Sequence, residues 1–307
     1  MPTAVGGGGG NYTRITPAAA SGFQWPSSAN TPSVSGSTLT YYPNVPTSYA
    51  PATTTLTTSS GDFFTSSAGQ VIQDLDITGA VVVNHNDVII RRCRIHGFFW
   101  SGIYIDTGVT VGHPVIVEDC LIESPDPGGI DGSSGASSDH YTVRRSRIRD
   151  VENGFSGTSN ALVEYCFVYP MYNSGGAHSD GFQTSTSAAI SNITFRHNTV
   201  FSRGETGTGE GDGSSCFNCA NDGLSFTNVI IEHNFFAGGS YALYGPHGAA
   251  GAGRNPGTNV QVKDNHFGTN YNPDCGTFGH WLDVEDEAVV TGNMLVDSSD
   301  NFISNLP

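Results

Sequence analysis

VIIRRCRI (88–95), VIVEDCLI (115–122), YTVRRSRI (141–148), ALVEYCFV (161–168), ITFRHNTV (193–200), VIIEHNFF (229–236), VQVKDNHF (260–267) and AVVTGNML (288–295) are variants of one pattern. Aligned, they place Cys93, Cys120, Ser146, Cys166, Asn198, Asn234, Asn265 and Asn293 in a single column. A strand signature that returns at uneven intervals, separated by loops of variable length, describes a solenoid of parallel coils. VIQDLDI (71–77) fits loosely as an earlier turn. The expectation is therefore an all-β parallel solenoid of about eight to nine coils.

The column two places earlier tests this reading. It holds Arg91, Glu118, Arg144, Glu164, Arg196, Glu232, Lys263 and Thr291. All but the last alternate in sign. Stacked in register, each charge would lie about 4.8 Å from an opposite one. An exposed pair is worth roughly 0–1 kcal/mol, so the ladder reads as a device against slipped stacking. The Cys/Ser/Asn column reads as structural too. Small polar side chains at a corner between strands satisfy turn backbone groups, and stacked amides bond along the axis.

Composition agrees. The chain has 307 residues, 40 of them Gly, and no stretch with sustained helical periodicity. Val/Ile-rich runs bounded by Gly, Asn and Asp dominate instead. The net charge of −16 argues against nucleic acid and acidic membranes as partners, and against anionic glycans held by charge alone. Neither a leader nor a membrane span is legible in the sequence.

Residues 1–61 are set apart by a Gly run, repeated Pro and a Thr/Ser-rich stretch, with scattered aromatics. They read as an extended attachment arm that orders on a partner or on the solenoid flank. Residues 62–297 are the coiled domain and 298–307 a tail or cap.

A second register lies between the repeat strands: GIYI (102–105), GIDG (129–132), GFSG (154–157), GFQT (181–184), GLSF (223–226), ALYG (242–245) and WLDV (281–284). Ile103, Ile130, Phe155, Phe182, Leu224, Leu243 and Leu282 are expected to point inward. Tyr104, Asp131, Ser156, Gln183, Ser225, Tyr244 and Asp283 are expected to point outward. Amides, carboxylates and aromatics on one face suit carbohydrate. Gln183, Tyr104, Tyr244, His247, Trp281 and Asp283 are the candidate glycan contacts.

The sharpest local motif is Ala177-His178-Ser179-Asp180-Gly181-Phe182-Gln183. Asp131 would lie two coils before Asp180 on the same face, and Asp222 one coil later at its edge. Asp180 and Asp222 on adjacent rungs would lie roughly 5 Å apart, near the carboxyl separation of retaining glycosidases. His178 could serve as base or as metal ligand. Against this, Asp-Gly is an ordinary turn former, and a neighbouring His or Gln often only satisfies backbone. Glu205, Glu210 and Asp212, in the longest insertion, could hold Ca²⁺, but a solvated loop is the simpler reading and no cofactor or metal is expected. Cys216, Cys219 and Cys275 leave zinc, a local disulfide and free thiols open.

The run HYTVRRSRIRDVENGFSGTSNALVEYCFVYP, followed by GGAHSDGFQTSTSAAISNITFRHNTVF, resembles a family of right-handed parallel β-helix proteins. These are minor tail proteins of actinobacterial phages and related secreted actinobacterial proteins. The resemblance covers roughly 70–297, and its H-x-D-G-x-Q element is carried by His178, Asp180, Gly181 and Gln183. It implies a tail-spike-like virion component. Such a protein would be joined to other tail proteins through residues 1–61, would present its solenoid to a host envelope polysaccharide, and would assemble as a homo-oligomer, with a trimer favoured. The alternative is a secreted or virion-borne polysaccharide-degrading enzyme, a hydrolase ahead of a lyase.

Overall fold

The computed structural model describes residues 23–106, 108–124, 134–137 (backbone alone), 139–173, 178–184, 189–205, 209–219, 225–245, 257–282, 284 and 288–306. Every regular element among them is a strand, and no helix long and apolar enough to cross a membrane occurs there. Three parallel sheets wind as one solenoid. Sheet 1 has nine strands, from Val71–Gln73 to Val289–Thr291. Sheet 2 runs parallel from Thr57–Ser60 to Met294–Val296 and ends on Phe302–Asn305, which folds back antiparallel. Sheet 3 has nine strands, from Phe63–Phe64 to Gly279–Leu282. The parallel ladder thus starts at Thr57, inside the stretch whose composition reads as an arm.

The corner between sheets 1 and 2 explains the repeat. Its first residue is left-handed in every coil: Arg92, Asp119, Arg145, Tyr165, His197, His233 and Asp264 have φ between 50° and 56°, and Gly292 has φ 70°. A non-glycine residue there costs about 1 kcal/mol or more. The next residue, the Cys/Ser/Asn column, turns inward and offsets that cost. Asn198 Nδ2 donates to Val163 O at 3.0 Å and to Asn234 Oδ1 at 3.1 Å, while its backbone N–H also reaches Asn234 Oδ1. The arrangement repeats from Asn234 to Asn265 and from Asn265 to Asn293. In the N-terminal coils the thiols of Cys93, Cys120 and Cys166 make weaker bonds to carbonyls, 3.3–3.4 Å from the oxygen two residues back.

The charge ladder has the expected register. Glu118 is the Cα partner of both Arg91 and Arg144, and Glu164, Arg196, Glu232 and Lys263 follow on successive rungs. It resolves into pairs rather than a continuous zipper: Arg144–Glu118 at 2.8 Å, Arg196–Glu164 at 2.8 Å and Lys263–Glu232 at 3.0 Å. Arg91 instead donates to Gln73. Two further columns were not foreseen. The corner residues pair as Asp74–Arg92 and Asp119–Arg145, then stack as Tyr165–His197–His233 with centroids 5.0 and 5.1 Å apart. On the far side of sheet 1, Asn160, Asn192, Asn228 and Asn259 form an exposed amide chain with bonds of 3.0–3.1 Å.

Residues 23–56 lie along sheet 2. Ser33–Ser35, Thr38–Tyr41 and Ala52–Thr55 form an antiparallel sheet, and Leu39 and Leu56 pack on Leu121. Farther along, Phe23 meets Tyr165 and His197. Trp25 meets Phe235 and His266, and its indole N–H donates to Asp300 Oδ2 at 3.0 Å.

Candidate functional site

Sheet 3 carries the expected surface, with corrected members. Its outward column is Phe64, Val82, Tyr104, Ser156, Gln183, Asn218, Tyr244 and Leu282, with the Ser137 backbone in register between Tyr104 and Ser156. The GIDG segment lies outside the described residues; the strand paired in that coil is Ser134–Ser137, with Ala136 the Cα partner of Ile103 and Phe155. Likewise Phe217, not Leu224, is the rung opposite Leu243, and Asn218 replaces Ser225. In the last coil the register slips by one residue: Trp281, not Leu282, faces inward and is only 7% exposed, so it is no platform for a sugar. Asp131, Asp222, His247 and Asp283, and with them Ile130 and Leu224, lie outside the described residues.

What remains is coherent. Tyr104 (43% exposed), Gln183 and Tyr244 do share one straight column. At about 4.8 Å per rung, Tyr104 and Tyr244 stand roughly 24 Å apart. Ser156, Gln183 and Asn218 fill the middle with hydrogen-bonding groups. Each end is aromatic. Tyr241, Tyr244 and Phe278 adjoin one another at centroid distances of 5.5 and 5.9 Å. At the other end Phe64 shares the column with Tyr104, and Phe99 and Trp100, edge to face at 5.0 Å, lie in the connection leading into that strand. Phe278 and Trp100 are 70% and 67% exposed and were missed because both sit in connections without a periodic signal.

The His178–Gln183 turn lies at the centre. Gly181 is dictated by packing: a Cβ there would sit 2.4 Å from Val200 Cγ1 and 2.3 Å from the Cys216 carbonyl oxygen. Asp180 is wholly buried. Ser215 Oγ donates to its Oδ1 at 2.5 Å and Asn218 Nδ2 to its Oδ2 at 3.2 Å. Burial pushes its pKa up to about 7, against the pull of those two bonds, with Glu152 adding to the rise. The rung after Asp180 is Ser215, so the position assigned to Asp222 in a carboxylate pair belongs to a hydroxyl. Glu152 is 7% exposed and accepts the His178 backbone N–H at Oε1, 3.1 Å away. The His178 ring is exposed, with Nδ1 3.4 Å from Ser214 Oγ.

Chemically, both carboxyls are sealed beneath the surface, while His178, Gln183, Asn218 and the tyrosines face solvent. Such a face can stack on and hydrogen-bond a chain of hydroxyls. Among the described residues it presents no exposed acid pair for cleaving one. The acidic insertion is likewise braced internally. Asp212 bonds Arg203 at 3.0 Å, Asn272 at 2.7 Å and Thr277 at 2.8 Å, which uses its oxygens within the protein. Among the described residues no cluster of His, Cys, Asp and Glu has the makings of a metal site. Cys216, Cys219 and Cys275 are buried and none of the six cysteines is in a disulfide, so the local bridge considered for the CxxC is not formed.

A family model described as a right handed beta helix region matches residues 78–247. No curated protein and no solved structure matches the chain.

Proposed function

The chain belongs to the right-handed β-helix family, and from that premise we propose that it is a glycan-binding tail component of a phage virion. The β-helix family fits carbohydrate-active and tail-spike-like proteins in general. The observation that carries the binding half of the reading is the sheet 3 column, with amides at its centre and aromatic clusters at both ends. A polymer of sugars laid along the solenoid axis would meet stacking groups at its ends and hydrogen-bonding groups between them. The virion half draws on the resemblance of the repeat strands and of the His178–Gln183 element to actinobacterial phage tail proteins. In this reading residues 1–61 join the chain to other tail proteins, a homotrimer is the working assembly, and the ligand is a host envelope polysaccharide.

Immunogold labelling of virions with antibody to the solenoid tests the attachment. Label at the tail is expected. Unlabelled virions, with the chain found only in the secreted fraction, would assign it to the secreted alternative. Cleavage of the glycan is a second reading, favoured by one observation, the Asp180 acid held near neutrality beside Glu152. It ranks second because Asp180 is wholly buried. New reducing ends or unsaturated uronates from envelope polysaccharide, lost in Asp180→Asn, would promote it.

A further inference from the structure

Between the antiparallel sheet at Leu121 and the Trp25 anchor, the outer side of sheet 2 is open. It forms a groove of about 610 Å³, within the ~300–1,000 Å³ typical of small-molecule sites. The wall is aromatic. Phe201 meets Phe167, Tyr169 and Phe235 edge to face at 5.8, 5.4 and 6.0 Å, and Trp25 continues the row at 5.8 Å from Phe235.

Three polar atoms of this groove lack internal partners. Arg147 Nε, Thr199 Oγ1 and Asn270 Oδ1 are all buried without a hydrogen bond, and all three residues line it. Thr199 is 3% exposed. Buried polar atoms are ordinarily satisfied, so three orphans around one cavity point to a ligand that supplies their partners. Arg147 stands out further. The described arginines at 91, 92, 94, 144, 145, 149, 196 and 203 each bond an acidic or amide side chain. The Arg147 guanidinium faces the Phe167 ring, 5.7 Å from its carbon, and the charges of Glu123, Asp150 and Glu205 act on it through space. Burial and the nearby Arg149 charge make its own charge costly to hold. The two acids bordering the groove are already served. Asp300 accepts from Trp25 and from His266 Nδ1 at 2.5 Å, and Glu205 accepts from the Tyr169 hydroxyl.

We infer that this groove binds a short segment of carboxylate-bearing saccharide, with the carboxylate on the Arg147 guanidinium and the sugar rings against Phe167, Tyr169, Phe201 and Trp25. A guanidinium matches a carboxylate by two parallel bonds, and aromatic faces suit sugar rings. The net charge of −16 repels a polyanion at long range, so recognition is short-range and confined to this cavity. The site is independent of virion attachment and of the sheet 3 face.

Calorimetric titration of the full chain with trisaccharide uronides (galacturonate, glucuronate and mannuronate series) and with maltotriose, a neutral trisaccharide, tests the inference. At least one uronide should bind at least about tenfold tighter than maltotriose. That preference should fall to within about twofold in Arg147→Gln, and Arg147→Lys should keep part of it. Should Arg147→Gln fail to fold, loss of tight uronide binding in Thr199→Val serves as the second variant. The inference is overturned if no uronide binds, if wild type does not discriminate, or if the preference survives in Arg147→Gln. It is equally overturned if that variant changes only the sedimentation coefficient, which would make the groove a contact between copies of the chain.

Discussion

Ser215 donates its hydroxyl to Asp180 across adjacent rungs, at 2.5 Å, in the place where the repeat pattern put a second carboxylate. The contact braces the buried Asp180 with neutral donors, beside the buried Glu152. Its consequence is thermodynamic.

With a folded pKa of about 7, Asp180 keeps its proton where the unfolded chain, near 3.9, has released it. The folded state then binds more protons, so its contribution to stability declines as pH rises from ~4 to ~7 and levels off above, by up to about 4 kcal/mol. His197 acts in the opposite sense. Burial, with the His233 and Arg196 charges, lowers its pKa to about 4, so its contribution is lost as pH falls from ~6.5 toward 4. Between ~4.5 and ~6.5 the two slopes oppose each other. Urea midpoints from pH 4.5 to 8 should show Asp180→Asn more stable than wild type at pH 8, with stability rising through the acid window. A variant profile parallel to wild type would remove the buried-acid assignment.

Asn234 bonds Phe195 O and Asn265 and receives the Asn198 backbone. Its replacement by Ala strands buried groups on both neighbouring coils and should cost about 2–4 kcal/mol in chemical denaturation. Cys120→Ser should cost under about 1 kcal/mol, because Ser146 already fills the same column with a hydroxyl bonded to Arg144 O. Equal losses at the two sites would mean that the amide ladder adds nothing beyond side-chain volume.

Glu164 sits between Arg144 and Arg196 in register and pairs with Arg196. Reversal to Lys places three like charges on consecutive rungs. A loss of about 1 kcal/mol is expected, much of it restored at 1 M salt. Arg91→Ala, which removes only the bond to Gln73, should fall within about 0.5 kcal/mol of wild type.

All six cysteines are buried. Burial pushes Cys166 and Cys216 up to about 12. Contact with Cys120 lowers Cys93, yet Cys93 has no exposed surface. Native protein at pH 8 should therefore leave a thiol reagent such as DTNB unreacted, while guanidinium-unfolded protein releases six equivalents. Rapid reaction of one or two native thiols would contradict the buried arrangement.

The parts of the solenoid legible in the sequence are those with invariant spacing. Sheet 1, its left-handed corner and the first residues of sheet 2 follow one another without insertions, so Arg91, Glu118 and Asn198 fell into their true columns. Connections from sheet 2 to sheet 3 vary in length, so an apolar residue after Gly marks Ile130 and Leu224 where the ladder uses Ala136 and Phe217. Phe217 follows Cys216 rather than Gly and carries no such mark. At Trp281 a slip of one residue exchanged inside for outside, as a period of two requires. The sheet 2 groove was invisible for a different reason. Arg147 and Thr199 share one column two rungs apart, but Trp25 joins them only because the N-terminal segment lies across several coils, and Asn270 reaches them from a connection, so no local pattern records the cavity.

Binding at the sheet 3 face is tested most directly by co-sedimenting the purified chain with host envelope polysaccharide, comparing wild type with Gln183→Ala and Tyr244→Ala. Wild type should pellet with the glycan, and each variant, folded to the same circular dichroism, should need at least about tenfold more glycan, a loss of about 1.4 kcal/mol. Wild type that stays in the supernatant, or variants that pellet as wild type does, would contradict a glycan-binding face on this sheet.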